Sequence, residues 1–228
     1  MEENLEITEV ESEKDPDFNF KLVILGNSGV GKTSLVKYEM QNSFINNRGS
    51  TIIFEHSFKN FNILDKIVRL LIWDTCGQET YYSSLKNFYR SALCVMVVFS
   101  LNDLESFKSI ERWIEDIHYN HNSEEYILVL IGNKSDLDKE RVISKEIIDG
   151  FCVNNDIVNY YEVSSKTGEN IHEMFKNIVK QLFIKFALHI FDENNEKPDE
   201  IKTRSDNSDN NFFNNNDNCC KSCFCDIQ

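Results

Sequence analysis

Residues 26–33 read GNSGVGKT, and those residue types at that spacing suit the binding of a phosphate chain. In such a loop, backbone N–H groups wrap phosphate oxygens, Lys32 neutralises charge and the Thr33 hydroxyl reaches a Mg2+ ion. WDTCGQE at 73–79 adds complementary chemistry. Asp74 is placed to hold the Mg2+ shell, the Gly77 amide can approach a γ-phosphate, and Gln78 can orient a water. NKSD at 133–136 contributes a carboxylate at Asp136. It can accept the two hydrogen bonds that guanine offers from N1–H and its exocyclic amine, and that adenine cannot supply. SSK, at 164–166, closes the base pocket from the last apolar run.

These groups need a scaffold that brings them together, and the apolar pattern describes one. FKLVILG (20–26), IVRLLIWD (67–74), LCVMVVFS (93–100), YILVLIGN (126–133) and IVNYYEVS (157–164) are near-continuous apolar runs, as expected of strands buried on both faces. The segment 52–64, joined to the second run by a short LDK turn, is a further strand candidate and would form an antiparallel edge. LESFKSIERWIEDIHYN places Leu104, Phe107, Ile110, Trp113, Ile114 and Ile117 on one helix face, and 169–190 repeats the logic. Strands alternating with helices predict an α/β domain: a mostly parallel six-stranded sheet with one antiparallel edge strand and helices on both faces. The phosphate loop runs from strand to helix, and NKSD stands at a strand end, where open α/β sheets bind ligands.

Charge separates this domain from its flanks. Of the 228 residues, 1–18 hold eight acids against Lys14, and 191–228 hold nine against Lys197, Lys202, Arg204 and Lys221. Most of the net charge of −14 therefore lies on the two ends, predicting an acidic disordered extension over 1–18, a nearly neutral domain over 19–190 and a disordered Asn/Asp-rich tether over 191–228. There is no basic footprint of the kind nucleic-acid binding needs. The N-terminus lacks the basic and apolar regions of a secretory signal, and the longest apolar candidate for a membrane span, LFIKFALHIF, is short and interrupted by Lys185. A cytosolic, reducing setting is expected, with Cys76, Cys94 and Cys152 as packed thiols. The five histidines form no metal pattern; His118 and His121 share a helix face without a third ligand. The chain closes with CCKSCFCDIQ, whose Cys219, Cys220, Cys223 and Cys225 could in principle form a disulfide knot, a zinc site or lipid attachment points. A reducing setting argues against the first.

Together the motifs resemble the Ras superfamily of small GTPases over residues 20–185, and the Rab branch in particular. The resemblance is carried by the loop Gly26, Asn27, Ser28, Gly29, Val30, Gly31, Lys32, Thr33 and Ser34, by WDTCGQE with FYR at 88–90, by LESF at 104–107, by NKSDL and by EVSSKTGENI at 162–171. It implies GTP and GDP as ligands with Mg2+, and catalysis by Gln78 and Lys32. Thr51, eighteen residues after Thr33, would be the switch threonine that contacts Mg2+ with Thr33 and Asp74, and Phe44 would brace the guanine. Asn133, Lys134, Asp136, Ser164, Ser165 and Lys166 would form the base site, with Lys134 along the phosphate loop and the Ser165 amide at the guanine carbonyl. Where most Rabs read IGVDF after the switch threonine, this chain has IIFEH at 52–56, with Ile53 replacing the glycine.

The family likeness also bears on the tail, since CDIQ resembles a prenylation box at Cys225. One lipid anchors only marginally, and the acidic tail offers no polybasic second signal, so a second lipid is expected on Cys219, Cys220 or Cys223. The implied partners are effectors, an exchange factor, an activating protein, a prenyl-binding escort and a membrane, with a lipid-anchored pool on its cytoplasmic face and a soluble cytosolic pool. A non-Rab Ras-like signalling GTPase and a hydrolysis-deficient GTP-binding scaffold are the competing expectations. Arg48 stands three residues before Thr51, the spacing at which G-protein alpha subunits carry a catalytic arginine in cis, so it is a candidate catalytic residue as well as a candidate solvated loop arginine.

Overall fold

The protein is described by a computed structural model covering residues 5–12, 14–44, 55–75, 89–121 and 125–187. Seven strands form one sheet: β1 (Thr8–Glu9), β2 (Phe18–Leu25), β3 (Glu55–Ile63), β4 (Lys66–Asp74), β5 (Cys94–Ser100), β6 (Ile127–Asn133) and β7 (Asn159–Val163). They lie in the order β1-β3-β4-β2-β5-β6-β7. From β4 to β7 every pairing is parallel. β3 runs antiparallel to β4 and β1 antiparallel to β3.

The sheet divides the apolar residues by the two-residue period of its strands. Leu22 and Ile24 of β2 join Met96, Val98, Val129 and Ile131 in a layer covered by α1 (Lys32–Gln41) and α4 (Ile171–Phe186). Val23 and Leu25 turn the other way, into a layer with Val95, Val97 and Phe99 under α2 (Leu104–Asn120) and α3 (Lys145–Asn154). Every residue of β5 is buried, as the continuous apolar run predicts. Asp103 caps α2 by accepting from the Glu105 and Ser106 amides, so the helix begins where the polar LND segment ends.

One expectation is corrected here. The sheet has seven strands rather than six, because the acidic N-terminal segment, expected to be disordered throughout, supplies β1. The open edge of β3 explains why. Val10 N–H donates to Asn60 O at 3.0 Å, Asn60 Nδ2 donates to Ser12 O at 3.3 Å, and Glu9 pairs with Lys59 at 2.7 Å. Leu5 and Ile7 pack against the first core layer. Unpaired edge groups and an inward lysine thus give an acidic strand something to bind.

Candidate nucleotide-binding site

Apart from Phe44, the described parts of the site sit at the C-terminal ends of β2, β4, β6 and β7, where parallel strands deliver their loops to one edge. β2 ends at Leu25 and the chain turns through Gly26–Gly31 into α1. Gly26, Gly29 and Gly31 all have positive φ, conformations that side chains disfavour. At Gly31 space is decisive as well: a Cβ there would stand 2.3 Å from Asn133 Nδ2. Lys32 opens α1 yet is only 5% exposed, and its Nζ donates to Gly26 O at 2.8 Å and Asn27 O at 2.9 Å. The ammonium is folded back over the loop, so its charge is delivered where phosphate oxygens would lie.

Thr33 follows one residue later, and its Oγ1 donates to Asp74 Oδ2 at 2.5 Å. Asp74 is 2% exposed, and its Oδ1 has no hydrogen-bond partner among the described residues. Burial pushes this carboxyl above the usual range, against the Thr33 hydrogen bond and the Lys32 charge, which pull it down. A buried carboxylate beside a hydroxyl with one orphaned oxygen fits a hard divalent cation, which takes oxygen ligands and lowers such a pKa. Thr33 and Asp74 therefore fit the Mg2+ role expected of them. Next door, Thr75 Oγ1 donates to Ile24 O at 2.6 Å, tying the end of β4 to β2. Nothing in the sequence separates this threonine from a surface one, since its partner is a backbone atom from another strand.

The base side is built by Asn133, Asp136 and Ser164. Asp136 sits in a 3-10 turn, Ser135–Glu140, and its Oδ1 accepts from Ser164 Oγ at 2.6 Å. Its other oxygen lies 3.6 Å from Lys166 Nζ, and the side chain is 12% exposed. Ser164 thus holds one carboxylate oxygen, and the second faces Lys166. Lys134 takes left-handed backbone, φ 68°, as the chain leaves β6. Phe44, just past α1, is an exposed ring at 41%.

Asn133 is bonded to three segments of the protein. Its Nδ2 donates to Val30 O at 2.8 Å, and its Oδ1 accepts from Lys134 N at 2.8 Å, Ser165 N at 3.1 Å and Ser165 Oγ at 3.0 Å. It is a bracket joining the phosphate loop to both base loops. The Ser165 amide donates to Asn133 Oδ1, which also accepts from Lys134 N and Ser165 Oγ. Farther out, Glu162 accepts from both guanidinium nitrogens of Arg141 at 2.8 Å and from the Tyr160 hydroxyl at 2.8 Å, which steadies β7 just before the SSK loop.

The structure therefore gathers Lys32, Thr33 and Asp74 at one end of the cradle, Asp136 and Ser164 at the other, and Asn133 between them. Arg48, Thr51, Gly77, Gln78 and the cysteines at 219, 220, 223 and 225 lie outside the described residues.

The profile of the Ras family matches residues 21–184, from β2 to the last turns of α4. This chain belongs to the Ras family. Among its relatives, the Ras-related protein RABG1 of Arabidopsis thaliana is 39% identical over 166 residues, 71% of this chain and 81% of the relative. The Ras-related protein Rab-30 of Homo sapiens is 36% identical over 171 residues, 75% and 83% of the two chains. The protein is a small GTPase close to the Rab branch, with the P-loop fold and the hydrolytic activity of that family.

Proposed function

We propose that this Ras-family GTPase works as a Rab-like switch in vesicle traffic, binding guanine nucleotide with Mg2+, hydrolysing GTP slowly and recruiting effectors at a cytoplasmic membrane face. One arrangement carries the reading. The Lys32 and Thr33–Asp74 cluster and the Asp136–Ser164 pair are bonded into one cradle through Asn133. In this reading Lys32 and the loop amides hold the phosphate chain, and Asp136 accepts from guanine N1–H and the 2-amine. Thr33, Thr51 and Asp74 would hold Mg2+, which supplies positive charge against the phosphate oxygens. Gln78 would orient the attacking water, and Thr51 would close over the γ-phosphate and let go after hydrolysis.

Titration calorimetry tests the base preference. Wild type should bind GTP and not ATP, and Asp136→Asn should lose GTP while gaining xanthosine triphosphate, whose 2-oxo group accepts where guanine donates. Equal affinity for ATP and GTP would defeat the proposal.

Anchoring through the tail belongs to the same reading, supported by four cysteines in the last ten residues. Among the described residues no helix is long and apolar enough to cross a membrane. Replacing Cys219, Cys220, Cys223 and Cys225 with Ser should move the protein to the soluble fraction with nucleotide binding intact. A quadruple mutant that still pellets with membranes would point to a protein tether instead. Arg48 as a cis catalytic arginine is tested by single-turnover hydrolysis at saturating Mg2+ without an activating protein. An Arg48→Ala variant as fast as wild type rules it out.

A further inference from the structure

The phosphate loop is rich in glycine, so few side chains are available to hold it. Asn133 holds the second half from β6, through its bond to Val30 O. The first half is held from the other side of the sheet. Asn27 Oδ1 accepts from the indole Nε1–H of Trp113 at 3.0 Å, and Asn27 Nδ2 donates to Ser109 Oγ at 2.9 Å. Ser109 Oγ in turn donates to Glu105 O at 2.8 Å. Trp113 and Ser109 lie one turn apart on α2, and Trp113 is 2% exposed within the layer that holds Val23 and Leu25.

Donor and acceptor rules fix this chain of bonds. An indole N–H can only donate, so the amide oxygen of Asn27 must face it. The NH2 group then faces Ser109, whose own hydrogen is committed to the Glu105 carbonyl. The indole is buried and needs an acceptor, and Asn27 supplies it from the loop itself. The main chain of the same residue faces the other way: Asn27 O accepts from Lys32 Nζ at 2.9 Å. Asn27 therefore joins α2 on its side-chain face to the phosphate-binding ammonium on its backbone face.

We propose that Trp113 and Ser109 are positioning residues for the GTPase, a strut that fixes the phosphate loop through Asn27 and so slows nucleotide release. The proposal rests on the guanine-nucleotide reading above. Loop amides held in place bind phosphate without reorganising, whereas a loop that must first be ordered binds more weakly.

The test is release of a fluorescent GDP analogue from full-length protein, chased with excess GDP. Trp113→Phe keeps the buried ring and deletes one donor, so release should quicken ~3- to 10-fold, the value of one hydrogen bond. Asn27→Leu, which removes the Ser109 bond as well, should quicken release at least as much, and the double variant should be no faster than Asn27→Leu alone, because Trp113 acts through Asn27. Ser109→Ala, at a half-buried position, should give a smaller acceleration. A side chain that matters for packing alone would lower thermal stability without this non-additivity. Release at the wild-type rate from folded Trp113→Phe, or additive effects in the double variant, overturns the strut. Failure of wild type to bind the GDP analogue would instead defeat the nucleotide reading.

Discussion

At the strand ends Asp74 is buried with one oxygen unpartnered among the described residues, while on the flank of the sheet Glu39 of α1 is equally buried and surrounded by charge. Lys59 Nζ lies 2.7 Å from Glu39 Oε1 and 2.7 Å from Glu9 Oε2, and His172 Nδ1 lies 2.7 Å from Glu39 Oε2. The His172 contact is close without being aligned as a hydrogen bond. Glu9, Glu39 and His172 have the composition of a metal site, but the Lys59 ammonium stands between the two carboxylates where a cation would go. Burial raises both carboxyl groups, Glu39 and Asp74. What differs is how the charge is answered. On the flank the protein supplies its own counter-charge and closes β1, β3, α1 and α4 together. At the strand ends it leaves an oxygen for something that arrives later.

The largest effect should come from opening the flank. Lys59→Met leaves Glu39 buried without its principal partner and should cost about 3–5 kcal/mol of stability by urea unfolding, with guanine-nucleotide affinity unchanged in the folded protein. Because Glu39 titrates above its ordinary value, its ionised form is the destabilising one. The loss should therefore shrink as pH falls toward that raised pKa and grow as pH rises through it. Adding Glu39→Gln should restore most of the loss. If Lys59→Met unfolds like wild type, the flank is not held by charge.

At the other region the same kind of change should move function instead of stability. Asp74→Asn removes a charge that has no full answer among the described residues, so nucleotide-free stability should hold or rise. Mg2+-dependent slowing of GDP release should fall by roughly 10-fold or more. Equal release with and without EDTA in wild type would remove the distinction between the regions. Gly31→Ala should follow in size, since the new Cβ meets Asn133 and φ is 101°. A cost of about 1–3 kcal/mol is expected, read in the melting temperature with and without GDP.

The smallest effect sharpens the comparison at a half-exposed pair. The Arg141 guanidinium holds Glu162 below the usual carboxylate range, so the pair adds stability above pH ~4.5 that is lost as pH falls through the lowered value. Glu162→Gln should cost under ~1 kcal/mol at neutral pH and flatten the acid limb of the stability profile.

The chemistry of the site was legible in the chain because its motifs are local. GNSGVGKT needs only eight consecutive residues to specify its loop, and NKSD and SSK each stand at the end of an apolar run that period alone identifies as a strand. The parallel core and helix α2 followed from the same pattern, with α2 observed at Leu104–Asn120 over the expected stretch. Helix α3 was harder to see, since KEIIDGFCVN contains a glycine and buries only Ile148 fully. β1 could not be seen, because a two-residue acidic strand has no apolar period and exists only against the edge of β3 and the charge of Lys59.

By itself, the sequence determined which residues could bind phosphate, cation and base, since side-chain chemistry and short-range spacing are written along the chain. Tertiary structure alone decided how those residues are held. Trp113 read as one more apolar face residue until the fold brought its indole to Asn27, 86 positions away, and nothing along the chain tied Asn133 to Val30 O and Ser165. Hydrogen bonds between distant segments depend on where the sheet places them, and no local pattern records that placement.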